Sequence, residues 1–141
     1  MAEVGTPAGF LLEQRAPGEL VIEVRADLEE ENASQLREAI AAFLQGEPGI
    51  AGVVIDVRAV RECRLLARAE LGELQTHLKH KVRRTAWLTG TSRMRGMALV
   101  VVHAANDPNA NVFVSLDQAR AWLSDTTSRL DSQAKRLASI R

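Results

Sequence analysis

The sequence predicts an α/β domain built on a mixed β-sheet of about five strands, with about four helices packed against it. Three observations lead there. Apolar residues recur at helical spacing in several segments, β-branched runs alternate with those segments, and Gly or Pro marks most of the boundaries between them. At 141 residues and 46% hydrophobic content, the chain suits one domain with one core.

Residues 1–9 hold no periodic pattern and read as a flexible leader before a domain spanning 10–124. Phe10 to Gln14 and Glu19 to Arg25 read as two strands, and Pro17-Gly18 between them makes the pair an antiparallel hairpin. Asp27, with Glu30 three residues on, resembles a capping box, and Asn32 and Ser34 are alternative caps for the helix that follows. Its apolar face is Ala33, Leu36, Ile40, Phe43 and Leu44, and Gly46 with Pro48-Gly49 ends it. Ile50 to Val57 is almost continuously apolar around Val53-Val54-Ile55, the pattern of a central strand buried on both faces.

A second helix is expected from about Arg61 to Lys79, with Ala67, Leu71, Leu74 and Leu78 as its inward stripe. Arg84 to Leu88 gives the next strand, with Ala86 and Leu88 facing one way and Thr85 and Trp87 the other. After Gly90, Thr91 or Ser92 can cap a third helix through Met94, Met97, Ala98 and Val101, although Leu99 to Val102 also fits a strand. Asn106 to Asn111 is a turn-rich break, Val112 to Val114 an edge strand, and Leu116 to Leu123 a last helix with Ala119, Trp122 and Leu123 inward. Residues 125–141 keep a faint stripe of Leu130, Ala134, Leu137 and Ile140 and read as a helical or flexible tail.

The net charge is zero but unevenly spread. Residues 1–70 carry 7 Lys/Arg against 13 Asp/Glu, and residues 71–141 carry 11 against 5, so the halves stand at −6 and +6. A partner with a matching charged surface fits such a chain better than nucleic acid does, because the acidic half offsets attraction to phosphate and only 4% of residues are aromatic. The N-terminus lacks a basic segment followed by an apolar run, and no apolar stretch approaches the ~20 residues of a transmembrane helix. The expected location is the cytoplasm, in keeping with a lone cysteine, Cys63, that has no internal disulfide partner.

The segment from Ala26 to Ile40 resembles the strand exit and first helix of the STAS domain, the fold of bacterial anti-sigma factor antagonists. Val53-Val54-Ile55-Asp56-Val57 is similar to that family's central strand, which commonly ends in aspartate, and Val112 to Leu123 to its final strand and helix, particularly in the SpoIIAA-like branch grouped with CRAL-TRIO-type lipid-binding domains. The resemblance covers about residues 10 to 123. It implies a non-catalytic module, without cofactor, that binds proteins or, in some branches, lipid-like ligands, and it allows a homodimer joined by exposed sheet or helix surface. Phosphorylation-switched members carry Asp-Ser-Ser/Thr-Gly at the start of the second helix. Arg61-Glu62-Cys63-Arg64-Leu65-Leu66-Ala67 stands there in this chain and has no hydroxyl, so the resemblance points to contacts that phosphate at that position does not time.

No paired carboxylates, nucleophile elbow or acid-rich metal motif is present, which argues against an enzyme. His77 and His80 stand three residues apart on a helix, but no acid or thiol completes a metal site and Lys79 and Lys81 repel a cation. Arg58, Arg61, Arg64 and Arg68 are the first candidates for partner binding, since a helix starting at Arg61 places the last three on one side, where an acidic surface would pair with them. Gly90, Thr91, Ser92 and Arg93 form a weaker anion-site candidate at a strand-to-helix turn. If the ligand is instead lipid-like, Leu74, Leu78, Met94 and Met97 are the expected pocket lining, unless they are ordinary core.

Overall fold

A computed structural model describes residues 3–5, 9–15 and 17–125. The ordered elements are β1 (Glu3–Gly5), β2 (Phe10–Arg15), β3 (Glu19–Val24), α1 (Glu30–Gly46), β4 (Gly52–Asp56), α2 (Leu65–Lys81), β5 (Arg84–Leu88), α3 (Ser92–Ala104), β6 (Ala110–Phe113) and α4 (Leu116–Ser124). The six strands lie side by side in chain order. β1, β2 and β3 pair antiparallel, and β3 through β6 pair parallel, so the sheet is mixed as expected.

One strand was not foreseen. β1 lies within the segment read as a leader, and it adds to the outer edge of β2 through Glu3 opposite Glu13 and Gly5 opposite Leu11. Three residues are too few to show a period of two, and what recruits them is the row of unpaired backbone groups on an edge strand. The hairpin turn is tight because Gly18 takes a φ of +79°, which side-chain-bearing residues rarely adopt.

The parallel strands need crossovers, and α1, α2 and α3 supply them over one face. Leu20, Ile22, Val53, Ile55 and Trp87 from that face meet Leu36, Ile40, Leu71 and Leu74 from the helices in one large core. The other face carries a smaller cluster of Val21, Val54, Ala86 and Leu88 under Ala119 and Leu123 of α4. This accounts for the continuous apolar text of β4, all five of whose residues are buried. α4 is fastened at its middle and near its C-terminal end. Arg120 pairs with Glu19 at 3.0 Å, and buried Arg84 hydrogen-bonds the Trp122 carbonyl while its guanidinium lies 4.8 Å from that indole's centre.

The two readings of 99–102 resolve to helix. Thr91 Oγ1 accepts the Met94 N–H at 3.1 Å and starts α3, whose Met94, Met97, Ala98 and Val101 are buried at i, i+3, i+4 and i+7. Burial of that stripe overrides the β preference of three consecutive valines. The proposed tail from residue 126 onward, including Leu130, Ala134, Leu137 and Ile140, lies outside the described residues.

Candidate interaction surface

Doubly wound sheets bind small ligands in the crevice where successive crossovers leave for opposite faces. Here α1, α2 and α3 all cover the same face between β3 and β6, so the strand ends open no such crevice. Among the described residues no group of three or more His, Cys, Asp or Glu is placed to hold a metal ion. Cys63 is buried, and burial pushes its thiol above the usual range, the reverse of a reactive thiolate.

The arginines do not share one helix side as expected. α2 begins at Leu65, four residues later than the sequence reading, because residues 61–64 are held extended against the exit of β3. Asp27 Oδ1 accepts the N–H groups of Arg61 and Glu62 at 2.8 and 3.2 Å, Leu28 donates to the Glu62 carbonyl at 3.0 Å, and Arg64 donates to the Leu28 carbonyl at 2.9 Å. Those bonds hold the Asp27 carboxyl below its ordinary range. Arg61 therefore sits in a loop, Arg64 is the residue just before α2, and only Arg68 is on the helix. Asp27 serves that loop instead of capping α1, where the Glu29 N–H meets Asn32 Oδ1 at 2.7 Å. Arg58 grips its own neighbour, with Nε and Nη2 at 3.0 and 2.9 Å from the two Asp56 oxygens.

The anion-site candidate is largely satisfied from within. Thr91 spends its hydroxyl on the cap, and Arg93, 72% exposed, has Glu62 at 3.6 Å. Gly90 is required by a close approach, since a Cβ there would stand 2.9 Å from the Arg58 carbonyl oxygen. The lipid-pocket candidates also need correction. Leu74, Leu78, Met94 and Met97 are at most 4% exposed and pack within the main core, because their stripe is what fixes α2 and α3 to the sheet.

What faces solvent instead is a set of apolar side chains that fall outside those stripes. Leu65 is 77% exposed, Leu66 57%, Leu99 48% and Val100 59%, and all four lie on α2 or α3. Isolated exposed leucines are commonplace, but here they adjoin hollows, Leu65 and Leu66 one at the start of α2 and Val100 another between α2 and α3. Between the helices runs a groove of 620 Å³, with Ala69, Gly72, Val100 and Ala104 along it and Arg37 and Arg68 at its side. His77 and His80 line it as well. Arg37 bridges to Glu70 at 2.8 Å and reaches Glu73 at 3.7 Å, and these acids raise its already high affinity for the proton. A smaller hollow of 390 Å³ adjoins Leu65 and Leu66, between Arg64 and the acidic start of α1 at Glu29 and Glu30. The sequence carried a signal for this patch. In a helix anchored by Ala67, Leu71, Leu74 and Leu78, Leu65 and Leu66 are out of phase and so must point away from the sheet.

A family model described as SpoIIAA-like matches residues 20–124. Among solved structures, an uncharacterised protein from Shewanella loihica PV-4 with a SpoIIAA-like fold aligns over 82% of this chain and 94% of its own, at a TM-score of 0.61 and 19% identity. The anti-sigma factor antagonist SpoIIAA in its unphosphorylated form aligns over 77% of this chain and 91% of its own, at 0.59 and 15%. No curated protein matches the chain.

Proposed function

The chain belongs to the SpoIIAA-like family, and from that premise we propose that it is a non-catalytic protein-interaction module, an adaptor or regulator in bacterial cytoplasmic signalling. The observation that carries this reading is the exposed apolar pair Leu65 and Leu66 beside Arg64, together with exposed Val100 on a groove that Arg68 also lines. An apolar centre with a charged margin is the composition of a surface that another protein covers. The reading is of a contact not timed by phosphate at the start of α2, since residues 61–67 contain no Ser, Thr or Tyr. An anti-sigma factor is the narrowest form of the partner, by likeness of fold to SpoIIAA.

The test is a double variant, Leu65→Ser with Leu66→Ser. Both side chains project into solvent, so the fold is expected to keep its stability within about 0.5 kcal/mol. Crosslinking in the native host, followed by quantitative mass spectrometry, is expected to show a stoichiometric complex with the wild-type chain and at least tenfold less with the variant. Equal capture by both chains removes α2 as the contact.

A further inference from the structure

We propose that the groove between α2 and α3 receives an amphipathic helix of the partner, with an acidic flank. The proposal rests on the reading of the chain as an interaction module and adds the chemistry of what it binds.

Shape selects a helix. The groove is a furrow between two helices, and its small floor residues Ala69, Gly72 and Ala104 let a third helix approach to the 8–10 Å of close packing. Above Gly72 there is open space, since a Cβ built there meets nothing within 4 Å. α2 is 17 residues long, about 25 Å at the helical rise, which matches a partner helix of four to five turns. A strand would need a free sheet edge, which this groove does not offer. A bilayer is flat at this scale and would cover the exposed leucines without filling the furrow.

Charge selects the acidic flank. Arg68, His77 and His80 of α2 line the groove, while Arg37, also at its wall, is already shared by Glu70 at 2.8 Å and Glu73 at 3.7 Å. Lys79 and Lys81 extend the basic side along the last turn of α2. Carboxylates on the incoming helix would meet these cations at the margin while its apolar stripe covers Val100 and Ala104. The histidines add a pH dependence. His77 faces His80 and Lys81 of its own helix and Arg37 of α1, with Glu73 one turn before it in the same groove, while α3 lines the groove with Val100, Val101 and Ala104 and brings no titratable group. In the empty groove burial and those cations hold His77 below its usual 6.5, and an acidic helix would reverse the balance, so binding strengthens as pH falls through that region.

A displayed library of 16-residue helical peptides tests this, with apolar residues fixed at i, i+3, i+4 and i+7 and flanking positions drawn from Glu, Gln and Lys. The full chain is expected to enrich Glu-flanked peptides, to bind them at least tenfold more weakly as Gly72→Leu, and to bind them more tightly at pH 5.5 than at pH 7.5. His77→Gln with His80→Gln should abolish that pH response. The Gly72→Leu side chain enters open space, so the variant keeps its fold, which circular dichroism and a urea midpoint verify. Absence of enrichment, enrichment of Lys flanks, or undiminished binding by Gly72→Leu overturns the proposal. So does sedimentation with phosphatidylglycerol vesicles in place of peptide binding, which would make a membrane the occupant. Loss of the Leu65→Ser, Leu66→Ser complex in the host together with no enriched peptide would leave the interaction module standing and remove only the acidic helix.

Discussion

Gln75 is a polar residue with no exposed surface, and it owes that position to two partners. Its amide oxygen accepts the Trp87 indole N–H at 2.7 Å, and its amide nitrogen donates to Asp107 Oδ2 at 2.9 Å, while Asp107 Oδ1 accepts the Asn109 N–H at 2.8 Å. The chain of bonds ties α2 to β5 and to the turn before β6. Replacing Gln75 by Leu keeps the volume but strands the indole N–H and one carboxylate oxygen, so a loss of about 3 kcal/mol is expected in urea unfolding. Trp87→Phe in the same background should recover part of it by removing the orphaned donor, whereas a loss under 1 kcal/mol for Gln75→Leu alone would mean the bonds carry little. The sequence shows half of this. Gln75 sits inside the buried stripe between Leu74 and Leu78, which marks it as a paired polar group, but its partners are 12 and 32 residues away and no local spacing reveals them. Asp27 is a similar case, because aspartate before a helix reads as a cap while its acceptors are spent on Arg61 and Glu62, 34 and 35 residues on.

Elements were legible wherever burial and period agree. α1, α2, α4 and the order of the strands from β2 to β6 follow from apolar spacing and from Gly or Pro punctuation, since the same packing that buries a face writes its period into the text, whereas Leu99 to Val102 fitted helix and strand alike. The start of α2 was not legible, because the bonds that keep residues 61–64 extended come from the β3 exit, far away in sequence. That four-residue shift dissolves the arginine row and leaves Arg68 alone on the helix. The outward leucines were legible in principle as out-of-phase residues. α2 also carries a testable weakness of its own. Gly72 sits mid-helix with space around it, and Gly72→Ala is expected to raise stability by about 0.5–1 kcal/mol, read as a higher urea midpoint at unchanged slope. An unchanged or lowered midpoint would mean that a Cβ at this position is not free of contacts. α3 depends on its cap, so Thr91→Ala should cost about 1 kcal/mol and Thr91→Ser much less, by the same measurement.

Across the whole molecule the strands keep chain order, so a charge asymmetry along the sequence becomes one across the sheet. The acid-rich first half builds β1 to β4 with α1, and residues 71–125, with 7 Lys/Arg against 4 Asp/Glu, supply β5, β6, α3 and α4, with α2 at the seam. The groove lies at that seam, which is why Arg37 and its two glutamates meet the histidines of α2 there. Two groups report on this arrangement through the pH dependence of folding, each in its own window. His77 binds its proton less readily in the folded chain, chiefly through burial and then through Lys81, Arg37 and His80. The unfolded chain therefore takes up more protons below 6.5, and stability must fall as pH drops through that value. Asp27 is also held low in the folded state, by the Arg61 and Glu62 N–H bonds, so its contribution persists above 3.8 and disappears only as pH falls below it. Urea midpoints measured from pH 7.5 to pH 3 should thus descend in two steps. His77→Gln is expected to erase the upper step and keep the lower, and Asp27→Ala to weaken the lower while leaving the upper in place, with faster hydrogen exchange at the Arg61 and Glu62 amides. An upper step that survives His77→Gln would detach His77 and its groove from the response.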